Sequence, residues 1–237
     1  MLLKNKDFQM TSEIVMTSEM VGTPKIFVHP STWLVSGPTG SGKTYFIVSV
    51  LRNRMIQPQP TRILWCYGEW QQLFQELQVV MKEIEFIEGL PTGLTNSIKP
   101  GEHTLIIIDD LMSEVGDSEE LKRLYTRGSH HRSLTIIYVV QNLFDKGKSH
   151  RTVSLNTHYM VLFKNPRDKS QIDILGRQMY PSHSRFLTTA FADATRDAYG
   201  YLVLDLRPET HEDIRVVTKI MPGEDMVVYL PSEYKRK

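Results

Sequence analysis

The sequence has little cysteine, no long apolar run and almost no net charge. Cys66 is its single cysteine, so a disulfide within the chain and metal clusters built on cysteine are excluded, and we expect a reducing compartment. No run approaches about 18 apolar residues, and no apolar stretch follows Lys4 and Lys6, so we expect neither a membrane span nor a signal peptide. A formal charge of +1 gives no overall case for nucleic-acid binding, which must come from local clusters.

Short apolar runs alternate with helical patterns along the chain. This alternation predicts an α/β fold, in which a mostly parallel sheet is covered by helices on both faces. The predicted strands are Thr32–Ser36, Arg62–Tyr67, Ile84–Ile87, Leu105–Ile108, the run Leu134–Asn142, Tyr159–Phe163 and Tyr201–Leu206. The predicted helices are Tyr45–Ile56, Gln71–Met81, one over Glu119–Thr126 capped by Asp117 or Ser118, one from a cap at Asp168 through Met179, and Ser184–Ala194.

A glycine-rich motif, GPTGSGKT, lies between the first predicted strand and the first predicted helix. It matches the Walker A pattern, in which backbone N–H groups wrap nucleotide phosphates at the start of a helix. Lys43 would neutralise the β and γ oxygens, and Thr44 would hold Mg²⁺. The predicted ATP-binding residues are Gly37, Pro38, Thr39, Gly40, Ser41, Gly42, Lys43 and Thr44.

A second motif, LIIIDD, ends a predicted strand in two carboxylates. Asp109 would lie at the carboxyl edge of the sheet and bind Mg²⁺ together with Thr44, which is the Walker B role. Asp110 would orient or deprotonate the water that attacks the γ-phosphate. The pair favours hydrolysis over transfer to another acceptor.

The run LTIIYVVQN ends in two amides, Gln141 and Asn142. If this strand lies beside the Walker A or the Walker B strand, Gln141 emerges near the γ-phosphate and acts as a nucleotide sensor. The chain then divides into three predicted parts: a flexible arm at 1–22, a P-loop ATPase domain at 23–206, and a C-terminal extension at 207–237 with candidate edge strands.

Together, GPTGSGKT, LIIIDD and VVQN resemble the FtsK/HerA superfamily of P-loop ATPases. The segments LYTRGSHHRSLTIIYVVQNLF and LNTHYMVLFKNPRDKSQI are similar to the genome-packaging ATPases of Polinton-like and adintovirus-like elements, in the lineage of the poxvirus-type packaging ATPases. The resemblance implies a RecA-like core with an additional strand, a homo-hexameric ring, and ATP-driven pumping of double-stranded DNA into a preformed capsid. It also implies contact with capsid proteins at a portal vertex, and location in the host nucleus, a cytoplasmic virus factory or the virion.

The chain departs from the superfamily's pattern at one residue, and two of its arginines are candidates for one role. The superfamily commonly has Glu where this chain has Asp110, whose side chain is one methylene shorter. Members of the superfamily insert an arginine finger into the neighbouring subunit's site, and the candidates here are Arg127 and Arg132.

Basic residues cluster between positions 122 and 151 of the sequence. Seven Lys or Arg residues and one acid, Asp145, lie between Lys122 and Arg151. The segment DKGKSHR at 145–151 is predicted to be a loop that contacts DNA phosphates without reading sequence, through Lys146, Lys148 and Arg151.

Two other functions share the nucleotide motifs. A P-loop kinase would need a closing lid rich in arginine and an acceptor pocket, and a capsid-assembly protein would bind nucleotide without pumping DNA. Stimulation of hydrolysis by double-stranded DNA would separate the translocase from both.

Overall fold

A computed structural model of the chain describes residues 14–17, 27–99, 101–111, 118–128, 133–144 and 148–232. These residues fall into two compact units, one within 26–161 and the other formed by 14–17 with 162–232. Among the described residues, no helix is long and apolar enough to cross a membrane.

The strands and helices are numbered here in chain order. The strands are β1 Ile14–Thr17, β2 Phe27–Val28, β3 Thr32–Ser36, β4 Ile56–Gln57, β5 Arg62–Tyr67, β6 Ile84–Glu88, β7 Thr104–Asp109, β8 Leu134–Val140, β9 Tyr159–Phe163, β10 Tyr201–Asp205, β11 Val216–Thr218 and β12 Val227–Pro231. The helices are α1 Lys43–Arg52, α2 Gln72–Val80, α3 Glu119–Arg123, α4 Lys148–Leu155, α5 Ser170–Met179 and α6 Ser184–Ala194. A π-helical turn, Leu124–Gly128, continues α3.

The unit within 26–161 is built on a sheet in the order β9-β3-β8-β7-β5-β6. The pairs β3/β8, β8/β7, β7/β5 and β5/β6 are all parallel. Every residue of β3, β7 and β8 is buried, which explains why their sequences are nearly continuous apolar runs without alternation. β8 lies between the Walker A strand β3 and the Walker B strand β7. This is the additional strand of the RecA-like order, so the predicted fold class is confirmed.

The other unit has an antiparallel ladder in the order β10-β11-β12-β1. Helices α5 and α6 pack against each other, and Gly176 allows the contact because a Cβ there would lie 2.8 Å from the Ser184 carbonyl oxygen. The predicted strands of the C-terminal extension are present as β11 and β12. Neither is an edge, since β11 lies between β10 and β12, and β12 also pairs with β1 from the predicted N-terminal arm.

The structure corrects the predicted end of the first helix and one predicted loop, and it decides between two predicted helix caps. Helix α1 ends at Arg52 rather than continuing to Ile56, because Ile56 and Gln57 pair with β2 in a separate two-stranded sheet. Ser118 is the cap of α3, and its hydroxyl accepts from the backbone N–H groups of Glu120 and Leu121. The predicted loop 145–151 is helical from Lys148 onward, as α4.

Candidate nucleotide site

The Walker A residues form the turn that joins β3 to α1. Gly40 and Gly42 have φ of +76° and +103°, in the left-handed region that glycine adopts without a steric cost. The Gly37 N–H donates to the Val140 carbonyl at 3.1 Å, and this bond extends the β3/β8 ladder into the loop. The loop backbone is therefore fixed at the amino end of α1, where free N–H groups and the helix dipole attract anions.

The Lys43 ammonium folds back over this loop. Its Nζ donates to the carbonyl oxygens of Gly37 at 2.6 Å and Pro38 at 2.9 Å. Burial lowers the pKa of Lys43, while the charges of Asp109 and Asp110 act in the opposite direction. The cation is thus held beside the phosphate-binding backbone and within range of both carboxylates.

Thr44 and Asp109 meet although 65 positions separate them. The Thr44 hydroxyl donates to the Asp109 Oδ2 at 3.4 Å, which is at the long end for a hydrogen bond. A carboxylate and a hydroxyl are oxygen donors of the kind that Mg²⁺ prefers. The two residues predicted to hold the metal are therefore adjacent, and they fit that ion.

Asp109 is a buried carboxylate, exposed over 4% of its surface. Burial raises its pKa to about 6, and Asp110 contributes in the same direction. Lys43, the Thr44 hydroxyl and the indole N–H of Trp65 partly offset the increase by stabilising the charged form. Above about pH 6 the carboxylate is ionised despite its burial, and a cation bound beside it would stabilise that charge.

Asp110 follows the end of β7 and is exposed. Its φ is +56°, a left-handed conformation that Asp adopts more readily than most residues. Gly68 packs against this turn: its N–H donates to the Asp109 carbonyl at 3.3 Å, and a Cβ on Gly68 would lie 2.6 Å from the Asp110 carbonyl oxygen. Gly68 therefore sets where Asp110 leaves the sheet.

Gln141 leaves the sheet between the two motif strands. Residue Val140 pairs with Ser36, the last residue of β3, while Tyr138 pairs with Ile108 of β7. Gln141 comes directly after these pairs and is exposed, as is Asn142. A nucleotide sensor at Gln141 requires that its strand lie beside a motif strand. β8 lies beside both of them, β3 and β7.

The remaining predicted site residues are the two arginine-finger candidates and the three DNA-contacting residues. The backbone of Arg127 lies in the π-helical turn, and Arg132 lies outside the described residues. Lys148 and Arg151 lie in α4, whereas Lys146 is outside the described residues. The arginine-finger and DNA-binding roles of these residues stay predictions.

Two residues of this site were not predicted from the sequence, Gly68 and Trp65. Trp65 lies in β5, and Gly68 directly follows that strand. Both come close to Asp109 because β5 pairs with β7, which places the carboxyl end of β5 beside Asp109. The signal in the sequence was a glycine immediately after a buried strand, which marks a close backbone approach.

No protein-family model matches the chain, and no curated protein matches it. Among solved structures, the chain is similar to the genome packaging NTPase B204 of Sulfolobus turreted icosahedral virus 2 in complex with ATP-gammaS. The two are 13% identical, with 76% of this chain and 94% of that chain covered and a TM-score of 0.48.

Two further solved structures are similar over most of this chain. The cytoplasmic domain of the type VII secretion ATPase EccC of Thermomonospora curvata is 14% identical, with 84% of this chain and 25% of that chain covered and a TM-score of 0.46. The flagellar accessory protein FlaH of Methanocaldococcus jannaschii is 13% identical, with 88% and 92% covered and a TM-score of 0.42.

Proposed function

We propose that this protein hydrolyses ATP with Mg²⁺ and uses the energy to move double-stranded DNA, packaging a viral genome into a preformed capsid. The observation that carries the hydrolysis is the meeting of Thr44 with Asp109 beside the Walker A loop, with Gln141 leaving the sheet between their strands. A nucleotide's phosphates, its metal and an attacking water require these groups at one edge of the sheet.

Each residue has a defined task in this proposal. The loop N–H groups bind the phosphates, and Lys43 exchanges its two loop carbonyls for phosphate oxygens. Mg²⁺, held by Thr44 and Asp109, would neutralise charge on the phosphates when bound. Asp110 accepts the proton of the attacking water, and Gln141 orients that water.

The DNA-moving part of the proposal is supported by the resemblance of the segments around GSHH and NPRD to viral packaging ATPases. It includes a homo-hexameric ring, contact with capsid proteins at a portal vertex, and location in the host nucleus, a cytoplasmic virus factory or the virion. Phosphate contacts from Lys146, Lys148 and Arg151 would bind DNA of any sequence, as packaging requires.

The proposal is tested by steady-state ATP hydrolysis with and without long double-stranded DNA. We expect hydrolysis that DNA stimulates several-fold. Lys43→Ala should abolish it because the phosphates lose their cation, and Asp110→Asn should abolish turnover while nucleotide still binds.

Other outcomes identify other functions. Hydrolysis that is indifferent to DNA would contradict the translocase and favour nucleotide-dependent capsid assembly. Phosphate transfer to a small acceptor, with little release of free phosphate, would favour a kinase.

The DNA contact is tested separately by replacing Lys146, Lys148 and Arg151 with Ala. We expect DNA stimulation to be lost with basal hydrolysis retained. The slope of log affinity against log salt should become shallower by about 0.9 for each phosphate contact removed.

A matched control removes three exposed charges elsewhere in the chain, at Arg52, Lys82 and Lys99. This control should keep DNA stimulation. Equal losses in the two triple variants would indicate a general effect of charge and contradict the assigned contact.

A further inference from the structure

Trp65 is a fully buried tryptophan whose indole N–H has no hydrogen-bond acceptor at normal geometry among the described residues. Its exposed fraction is 0%. The other buried tryptophan, Trp33, donates its indole N–H to the Ser31 hydroxyl at 2.8 Å. A buried N–H without a partner is costly, and in a native protein it needs an explanation.

The strand register brings this N–H towards Asp109. Trp65 pairs with Ile107 and Tyr67 pairs with Asp109 across β5 and β7, so Trp65 and Asp109 are diagonal neighbours on one face of the sheet. The indole N–H acts to lower the pKa of Asp109, against the rise that burial causes, although it makes no hydrogen bond of regular geometry.

The ring of Trp65 is held in place by its neighbours. Phe74 of α2 and Phe86 of β6 lie against it, with ring centroids at 5.3 Å and 5.8 Å. An indole packed in this way cannot turn its N–H to another acceptor without displacing both phenyl rings. The N–H is therefore a fixed donor beside a carboxylate that also accepts from Thr44.

We propose that Trp65 is a positioning residue for metal binding, whose indole N–H holds the Asp109 carboxylate in the orientation that meets Thr44. The inference rests on the proposed function, because it assigns Asp109 to the metal. Partners that orient a ligand in this way typically change metal affinity by about 10- to 100-fold when they are removed.

The first test observes the contact directly. In the full chain labelled with ¹⁵N-tryptophan, Trp33→Phe and Trp70→Phe each assign their own indole signal by its disappearance, and the third signal belongs to Trp65. Asp109→Ala should then move the Trp65 indole proton upfield and leave the Trp33 signal nearly unchanged, since Trp33 donates to Ser31. A Trp65 signal that moves no more than that of Trp33 would overturn the inference. This test keeps Trp65 in place throughout, so it does not depend on the folding of Trp65→Phe.

The second test measures the metal. Mn²⁺, which replaces Mg²⁺ at oxygen sites, is titrated into the protein with ADP, and free Mn²⁺ is followed by electron paramagnetic resonance. Trp65→Phe should weaken Mn²⁺ binding by roughly tenfold or more. Trp33→Phe also removes a buried indole and should leave Mn²⁺ affinity near that of the unaltered chain.

The outcomes separate this inference from the proposed function. Equal Mn²⁺ affinities in the two Phe variants would overturn the role of Trp65 alone. Failure of the unaltered chain to bind Mn²⁺ and ADP would overturn the proposed function, and the positioning role with it.

Discussion

Asp109 combines burial with a negative charge, and this makes it sensitive to pH at the scale of one residue. Because its pKa is raised from 3.8 to about 6, the folded protein holds a proton on Asp109 between about pH 4 and pH 6 that the unfolded chain releases. Its contribution to stability is therefore present at low pH and is lost as the pH rises through 6. Above pH 6 the ionised carboxylate lowers the free energy of unfolding.

Asp109→Asn should for this reason stabilise the protein while it removes metal binding. We expect the free energy of unfolding at pH 8 to rise by roughly 1 to 3 kcal/mol, because the buried charge is gone, and about half of the gain to disappear at pH 5, where Asp109 is mostly protonated in the folded protein. Thermal unfolding at the two pH values measures this difference. Asp110→Asn changes an exposed carboxylate and is the control, with little effect expected. A less stable Asp109→Asn protein at pH 8 would contradict the argument.

Sequence motifs predicted which residues meet at this candidate site. Lys43, Thr44 and Asp109 are recognisable because phosphate and magnesium chemistry restricts the residue types and their spacing. Trp65 and Gly68 were not predicted, since their roles arise from the pairing of β5 with β7 and no spacing along the chain encodes that pairing.

At the scale of elements, the turn after β7 depends on how closely β5 approaches it. Gly68→Ala would place a Cβ 2.6 Å from the Asp110 carbonyl oxygen, a backbone atom that cannot move aside without shifting Asp110. We expect a loss of roughly 1 to 3 kcal/mol of stability and a fall in the rate of ATP hydrolysis. Thermal unfolding and steady-state hydrolysis measure the two effects.

The control for Gly68 is Gly101→Ala. Gly101 has a φ of +80° and open space around its Cβ position, so alanine there costs stability through backbone strain in the loop before β7. Its hydrolysis rate at a permissive temperature should stay near that of the unaltered chain. Equal rates for the two variants would show that Gly68 does not set the position of Asp110.

Strands and helices with a continuous apolar run or a regular helical period were predictable, and those without either pattern were not. β8, β9 and α6 match their predicted ranges closely because continuous apolar runs and a regular helical period have few alternatives. Helix α4 was predicted to be a loop through Arg151, since its charged and hydroxyl residues lack an apolar stripe. The π-helical turn was missed as well, because local sequence does not distinguish it from an α-helix.

At the scale of the whole molecule, the proposed ring makes a prediction about two arginines. Either Arg127→Ala or Arg132→Ala should reduce ATP turnover by about 10³- to 10⁵-fold while ATP binding is kept, because an arginine finger stabilises charge only in the transition state. Equilibrium ATP binding and turnover, measured on each variant, test this. Arg123→Ala, an exposed residue on α3, is the control.

A mixing experiment shows whether the finger acts between subunits. A Lys43→Ala chain keeps its arginines, and the finger variant keeps its Walker A lysine, so a mixed ring contains some complete sites. We expect hydrolysis to reappear on mixing two inactive proteins. If it does not, the arginine acts within its own chain or has no such role.

The presence of an additional strand in a mostly parallel sheet was predictable because the resemblance to a known superfamily implied it, while the full strand order was not predicted. The pairing of β1 with β12 was not predictable, because it joins residues more than 200 positions apart with no motif at either end. Long-range pairing of this kind depends on packing across the whole fold.

The position of β8 limits how far that strand can move in the proposed catalytic cycle. All seven of its residues are buried, and it is bonded to a parallel strand on each side, so sliding it would break two ladders at once. Gln141 thus stands on a firmly held support, which in the proposed hydrolysis would stay in place when the γ-phosphate is lost. In mechanical terms β8 is the stator of this unit, held between two ladders that would have to break together.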